Sequence, residues 1–269
     1  HAQKHPRSGY AEMLRTIRMR IEFIVQRKHK ISVAITSTQS GDGKTFISTN
    51  LAALYSMSGR PTVLLDMDIR KPNVHDKLGL EAKQGVTNYL IGDCGLEDII
   101  IHHESFAFDV IPAGTIPPNP GELIRSEKLT DLLNKLRERY VYIVLDSSPV
   151  GIVPDALSLI EQTDLTLFVL RCMETNKSFA KQTLETLAIN HKEKINLILS
   201  DIPVMKSGRG YGYTYGSYGY GYGYGYGYGY GYGEGKNKRS YGAIDYIRTR
   251  VSKRKDEPTH KYIDDEEEA

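Results

Sequence analysis

The sequence predicts an α/β domain, a parallel sheet covered by helices on both faces, followed by a disordered tail of different composition. Two observations carry that prediction. Between residues 31 and 207, short runs that are apolar throughout alternate with segments of helical periodicity, as expected for strands buried on both faces. From residue 208 onward the aliphatic runs stop, and glycine, tyrosine and charge take over. The 269 residues therefore divide into an N-terminal helical segment (1–30), a domain (31–207) and a tail (208–269).

Residues Ser8 to Ile24 read as a helix, with Met13, Ile17, Ile21 and Ile24 forming an apolar stripe at spacings of three and four. Glu12, Arg15 and Arg18 fall near one face, where intrahelical ion pairing is the simplest use for them. Ile31 to Ile35 is the first strand, and a helix follows from Thr45 to about Met57. The run from Pro61 is a buried strand ending at Asp66 and Asp68, and a further strand spans Asp109 to Ile111. Pro117, Pro118 and Pro120 impose an irregular loop, after which a helix is expected from about Glu122 through Arg139, with Leu132, Leu133 and Leu136 inward. Tyr140–Asp146, Leu165–Leu170 and Ile195–Leu199 are strands, and a helix from Ser178 to about Asn190 lies between the last two.

The net charge of +2 is unevenly spread: residues 1–30 carry +6, the tail +1 and the domain −5. A basic segment on an acidic body suggests head-to-tail self-association or proximity to an anionic membrane surface. Basic residues do not cluster on the domain, which argues against a nucleic-acid partner. Two cysteines, Cys94 and Cys172, fit a reducing compartment and have no metal-site spacing. They and His102-His103 read as ordinary structural residues. No apolar run approaches the ~18 residues of a membrane span. The first residue is His1 rather than Met, so a fragment is expected, with a membrane part upstream.

The chemistry centres on Ser37-Thr-Gln-Ser-Gly41-Asp42-Gly43-Lys44-Thr45, placed between the first strand and its helix. A glycine turn opening a helix presents backbone N–H groups to phosphate; the lysine reaches the outer phosphates and the Thr hydroxyl ligates Mg²⁺. Gly41, Asp42, Gly43, Lys44, Thr45 and Phe46 are the candidate nucleotide contacts from this loop. Thr38 stands where the usual pattern has its first glycine. Asp66, Asp68 and Asp146 each end a buried strand, where ligands bind in open α/β sheets. Asp146 holds the position of the acid that orients metal-bound water in phosphate-loop proteins.

Together with Leu64-Leu-Asp66-Met-Asp68-Ile-Arg70, Asp146-Ser-Ser-Pro149, Pro117-Pro-Asn-Pro120 with Glu122-Leu123, and the tyrosine-rich tail, this loop resembles that of the bacterial tyrosine kinases (BY-kinases) of capsule and exopolysaccharide export. The resemblance covers about residues 8 to 235. It implies a P-loop NTPase-like kinase domain using ATP and Mg²⁺, with Thr45, Asp68 and Asp146 at the metal. Asp66 is the first choice for the base that accepts the tyrosine proton, with Asp68 able to exchange roles. Arg70 would steady the loop or the transferring phosphoryl group. Glu12, Arg15 and Arg18 match a subunit-packing motif, implying a homo-oligomeric ring, an octamer in that family. The resemblance further implies a membrane polysaccharide co-polymerase part or subunit, a tyrosine phosphatase, and work at the cytoplasmic face of the inner membrane.

Eleven tyrosines between Tyr211 and Tyr232 are interleaved with glycine. Glycine at every second position makes ordering costly, so this run is expected to be disordered. A flexible chain reaches about 5–6 Å × √n, which favours the later tyrosines as phosphoacceptors in trans: Tyr220, Tyr222, Tyr224, Tyr226, Tyr228, Tyr230 and Tyr232. Two other readings compete. A switch ATPase of the partitioning or division-site kind would typically have a lysine at Gln39. A non-catalytic, nucleotide-stabilised scaffold would use the tail as a docking strip.

Overall fold

The computed structural model describes residues 9–25, 28–102 and 107–202, with residues 9–14 described by backbone alone. The expectations for the tail, the phosphoacceptor tyrosines, His103 and the Glu12 side chain fall outside that range.

Six strands, β1 (Ile31–Ser37), β2 (Thr62–Met67), β3 (Asp109–Ile111), β4 (Tyr142–Ser147), β5 (Leu165–Arg171) and β6 (Ile195–Ser200), form one sheet in the order β3-β2-β4-β1-β5-β6. All of its pairings are parallel. Strand periodicity sends successive side chains to opposite faces. Leu64, Val144, Val33 and Ile35 pack on one face under helix α1 (Gly9–Ile24) and helix α2 (Lys44–Ser56), through Ile21, Ile47 and Leu51. Val63, Leu65, Ile143 and Leu145 pack on the other.

The rest of the chain supplies short helices: α3 (Val74–Leu78), α4 (Val86–Ile91), α5 (Leu96–Ile99) and α6 (Pro120–Ile124). Longer ones follow as α7 (Glu127–Arg139), α8 (Asp155–Gln162) and α9 (Lys177–His191). Leu129, Leu132, Leu133 and Leu136 of α7 bury against the second face. The single helix expected from Glu122 is two. Pro120 begins α6 at its first turn, where a missing N–H costs nothing. That helix stops at Arg125, where the Ser126 hydroxyl caps the Leu123 carbonyl at 2.7 Å. The α1 stripe is also rotated at its end: Ile21 and Val25 are buried, whereas Ile24 is 42% exposed.

Strand β1 lies between β4 and β5, so the chain leaves it toward β2 on one side and later crosses it to reach β5. Such a reversal opens a crevice at the carboxyl ends of the strands. The ends of β1, β2 and β4 meet there. Among the described residues no helix is long and apolar enough to cross a membrane.

Candidate active site

The loop from Thr38 to Gly43 turns over the end of β1 through two left-handed glycines, Gly41 (φ 93°) and Gly43 (φ 100°). Other residues reach such angles only with strain. Gly43 is the N-cap of α2, so the helix opens directly on Lys44 and Thr45. Asp42 is fully buried and pointed inward, where its carboxylate accepts from the Gln39 N–H (3.1 Å) and the Thr175 hydroxyl (2.7 Å). Its side chain fixes the loop's shape, leaving the backbone to face a ligand. Phe46 follows on α2, 37% exposed, and its carbonyl accepts from the Asn50 amide. Across the crevice Gly151 packs so closely that a Cβ would stand 2.4 Å from the Thr38 carbonyl oxygen.

Asp146, Asp68 and Asp42 act on Lys44. Strands β2 and β4 pair with Asp66 opposite Asp146, and both carboxylates are buried. Burial raises Asp66 to about 7, with Asp146 adding to the effect and three backbone N–H groups opposing it. Those donors are specific. One Asp66 oxygen accepts from the Asp68 N–H (3.2 Å), the other from the Asn73 (3.1 Å) and Val74 (3.0 Å) N–H groups. Asp66 thereby anchors the turn that leads into α3.

Burial likewise raises Asp146 to about 6, opposed by the Thr45 hydroxyl and by Lys44, while Asp68 reinforces it. Burial lowers the Lys44 ammonium, against the pull of Asp146, Asp68 and Asp42; Lys77 on α3 lowers it further. Asp68 sits nearer the opening, 8% exposed. A single oxygen of it accepts from the Ser148 hydroxyl (2.8 Å) and the Lys71 N–H (3.2 Å).

Arg70 is exposed, but its Nε donates to a buried carboxylate, Asp155, at 2.6 Å. Asp155 opens α8, so the pair ties the β2 turn to a second element. Gly121 of α6 packs beside the same carboxylate. On the far side Arg171 reaches both the Gly41 carbonyl (3.4 Å) and Asp201 (3.0 Å). Gln39 turns to its own chain, donating to the Glu174 carbonyl at 3.3 Å.

The structure thus brings together Gly41, Asp42, Gly43, Lys44, Thr45, Asp66, Asp68 and Asp146. Arg70 stands at the rim, and Arg15 and Arg18 lie apart on α1. Arg18 lies 3.7 Å from Glu22, one turn along that helix. Sequence reasoning missed Asn73, Lys77, Ser148, Asp155, Arg171 and Thr175. Only Ser148, two residues beyond the strand-end acid Asp146 in the Asp146-Ser-Ser-Pro149 stretch, had a local signal.

Whether this site suits a magnesium ion is testable on its atoms. Asp146 Oδ1 is buried with no hydrogen-bond partner, and the Thr45 hydroxyl lies against the same carboxylate. No group of three metal-ligating His, Cys, Asp or Glu side chains exists among the described residues. Magnesium usually takes one or two carboxylates and completes its shell with water and substrate phosphates. The donor set fits.

A parallel sheet whose first strand runs through a glycine turn into Lys44-Thr45, with buried acids at two neighbouring strand ends, defines a protein of the P-loop NTPase class. The AAA domain family AAA_31 matches residues 30–200. Tyrosine-protein kinase YwqD of Bacillus subtilis is 33% identical over 211 residues, 78% of this chain and 89% of that protein. Tyrosine-protein kinase Etk of Escherichia coli K12 is 30% identical over 197 residues, 72% of this chain and 27% of that longer protein. The crystal structure of the chimerical protein CapA2B2 superposes with a TM-score of 0.70 at 32% identity, covering 76% of this chain and 89% of that one. This chain belongs to the bacterial tyrosine-protein kinase family.

Proposed function

We propose that the chain is an ATP-dependent protein-tyrosine kinase whose substrate is its own tyrosine-rich tail, presented by a neighbouring subunit. The observation that carries this reading is the convergence of Lys44, Thr45, Asp68 and the partly unsatisfied Asp146 on one crevice. Kinship to named tyrosine kinases supports the reaction class.

The backbone from Gly41 to Thr45 cradles the phosphates and Lys44 neutralises the outer ones. Thr45 and Asp146 would hold Mg²⁺, which supplies charge compensation on the phosphate oxygens when bound. Of the two exchangeable acids, Asp68 suits the base better. Asp66 is enclosed and accepts three backbone N–H groups, whereas Asp68 stands near the opening with one oxygen outside the described hydrogen bonds. Asp68 therefore orients the incoming tyrosine hydroxyl and takes its proton as the phenol oxygen bonds phosphorus and the bond to the departing diphosphate breaks. Positioning and charge supply most of the rate. Ring assembly through Glu12, Arg15 and Arg18, and its loosening as tail phosphates add about −1.5 to −2 charge each, complete the proposal. On that view the cycle regulates polysaccharide export alongside a membrane partner, and a phosphatase resets it.

Incubation with ATP and Mg²⁺ followed by phosphotyrosine mass spectrometry tests the reading. Labels on Tyr220 to Tyr232, lost by roughly 10²–10³-fold in Lys44→Met, are expected. ATP hydrolysis without any tail label would instead indicate a switch ATPase, and export unaffected by Lys44→Met a scaffold.

A further inference from the structure

Strand β6 is an edge of the sheet, and among the described residues nothing pairs with its outer side. An edge offers a row of free N–H and C=O groups to any extended segment. The same strand leaves two leucines, Leu197 and Leu199, 57% exposed. Both lie on the face carrying α9, because Leu197 is in register with Phe168 and Leu199 with Leu170. Phe168 is fully buried, packed with Leu187 of α9 and Ile160 of α8, but that cover does not extend to the edge leucines. A largely apolar groove of about 580 Å³ remains beside Leu170 and Leu199, walled by Ala180, Leu184 and Ala188 of α9 and lined also by Arg171, Lys177, Lys181 and Glu185. Met173, 89% exposed, stands at one end of it.

The chain itself identifies the occupant. β6 ends at Ser200, two residues before the last described position, and the sequence C-terminal to it includes the alternation from Tyr218 to Tyr232. In an extended strand, residues two apart share a face. Every tyrosine of the run would then lie on one side and every glycine on the other. We propose that the unphosphorylated Tyr-Gly run of this chain folds back and adds to the β6 edge as a further strand, laying its tyrosines over Leu197, Leu199 and the α9 groove.

This accounts for the strictness of the alternation, which a disordered substrate does not require. A slip of two residues restores the same pattern, so several registers are equivalent; a slip of one would turn the tyrosines outward. The 17 residues from Asp201 to Ser217 are more than enough for the return. The groove is also continuous with the active site, for Arg171 and Thr175 line it and contact the phosphate loop. The docking does not rest on the kinase reading.

Hydrogen exchange on the full chain, without nucleotide and stripped of phosphate, tests the docking. Amides of residues 195–200 are expected to exchange at least tenfold more slowly in the native chain than in a variant with Tyr218 through Tyr232 changed to Ser. Leu197→Lys, an exposed change that spares the core, is expected to remove the same protection. Equal exchange in all three proteins overturns the proposal. So does protection that grows with protein concentration, which would assign the edge to a second copy. Tail labelling with no protection of β6 would defeat the docking and leave the kinase reading intact; protection with no labelling would do the opposite.

Discussion

Asp66 and Asp146 face each other in register across two parallel strands, both buried, with Lys44, Asp68 and Lys77 as the other charged groups that act on the pair. Their ordinary value is 3.8, and in the folded protein they rise to about 7 and about 6. The folded state then holds protons that the unfolded state has released. Stability from this source is fully present below about pH 4 and is lost as pH rises through 6 to 7. We predict that the nucleotide-free protein melts several degrees lower at pH 8 than at pH 5, and that millimolar Mg²⁺ restores more of the loss at pH 8. Asp146→Asn should flatten the profile. Melting curves across pH check this; a melting temperature that climbs from pH 5 to 8 would contradict it.

The hydrogen bond from Ser148 to Asp68 makes a kinetic prediction. Both side chains are nearly buried, and the Ser148 hydroxyl fixes one carboxylate oxygen at 2.8 Å. A bond to a charged group contributes about 1.5–3 kcal/mol, so Ser148→Ala is expected to lower kcat at least about tenfold. The KM for ATP should stay within about twofold, since Ser148 positions the base and not the phosphates. Steady-state kinetics with the two parameters separated will decide. A rise in KM at constant kcat would assign Ser148 to binding instead.

The parts of this molecule legible in sequence are those with a sustained pattern. Strands such as Leu165–Arg171 show as runs apolar throughout, and helices such as α7 repeat a burial period long enough to read. Helices α3, α4 and α5, of four to six residues each, are shorter than two turns and carry none. Their ends at Gly79 and Gly92, both left-handed, show in sequence only as breakers. Lys44, Thr45 and Asp146 were visible because the strand or turn beside each is local. Asp155 was not, because its partner Arg70 lies 85 residues away and no short-range rule joins them. The same holds for Thr175 on Asp42, 133 residues apart.

Gly151 makes a steric prediction about the phosphate loop. A Cβ there would stand 2.4 Å from the Thr38 carbonyl oxygen and 3.1 Å from the Thr183 hydroxyl. The nearer obstacle is backbone and cannot rotate away. Overpacking of this kind costs about 1–3 kcal/mol, and here it pushes directly on the turn that presents N–H groups to phosphate. Gly151→Ala should weaken ATP binding by roughly tenfold while the protein still folds, as measured by calorimetric titration. Unchanged affinity would mean the loop adjusts without cost.

Arg70 and Asp155 provide the last test, because the two partners differ in burial. The Asp155 side chain is 2% exposed and that of Arg70 40%. Removing Arg70 strands a carboxylate in the interior, whereas removing Asp155 releases a guanidinium that water can solvate. Arg70→Ala should therefore destabilise more than Asp155→Ala, despite being the more exposed change. Solvent screening at Arg70 limits the coupling to about 1–2 kcal/mol in a double-mutant cycle. If Arg70 acts by tying the β2 turn to α8, both single variants lose turnover alike and the double variant loses little more. Denaturant melts and initial rates on the four proteins measure this. Full turnover in Asp155→Ala alongside loss in Arg70→Ala would show that the guanidinium works on the phosphoryl group and that its tie to α8 is incidental.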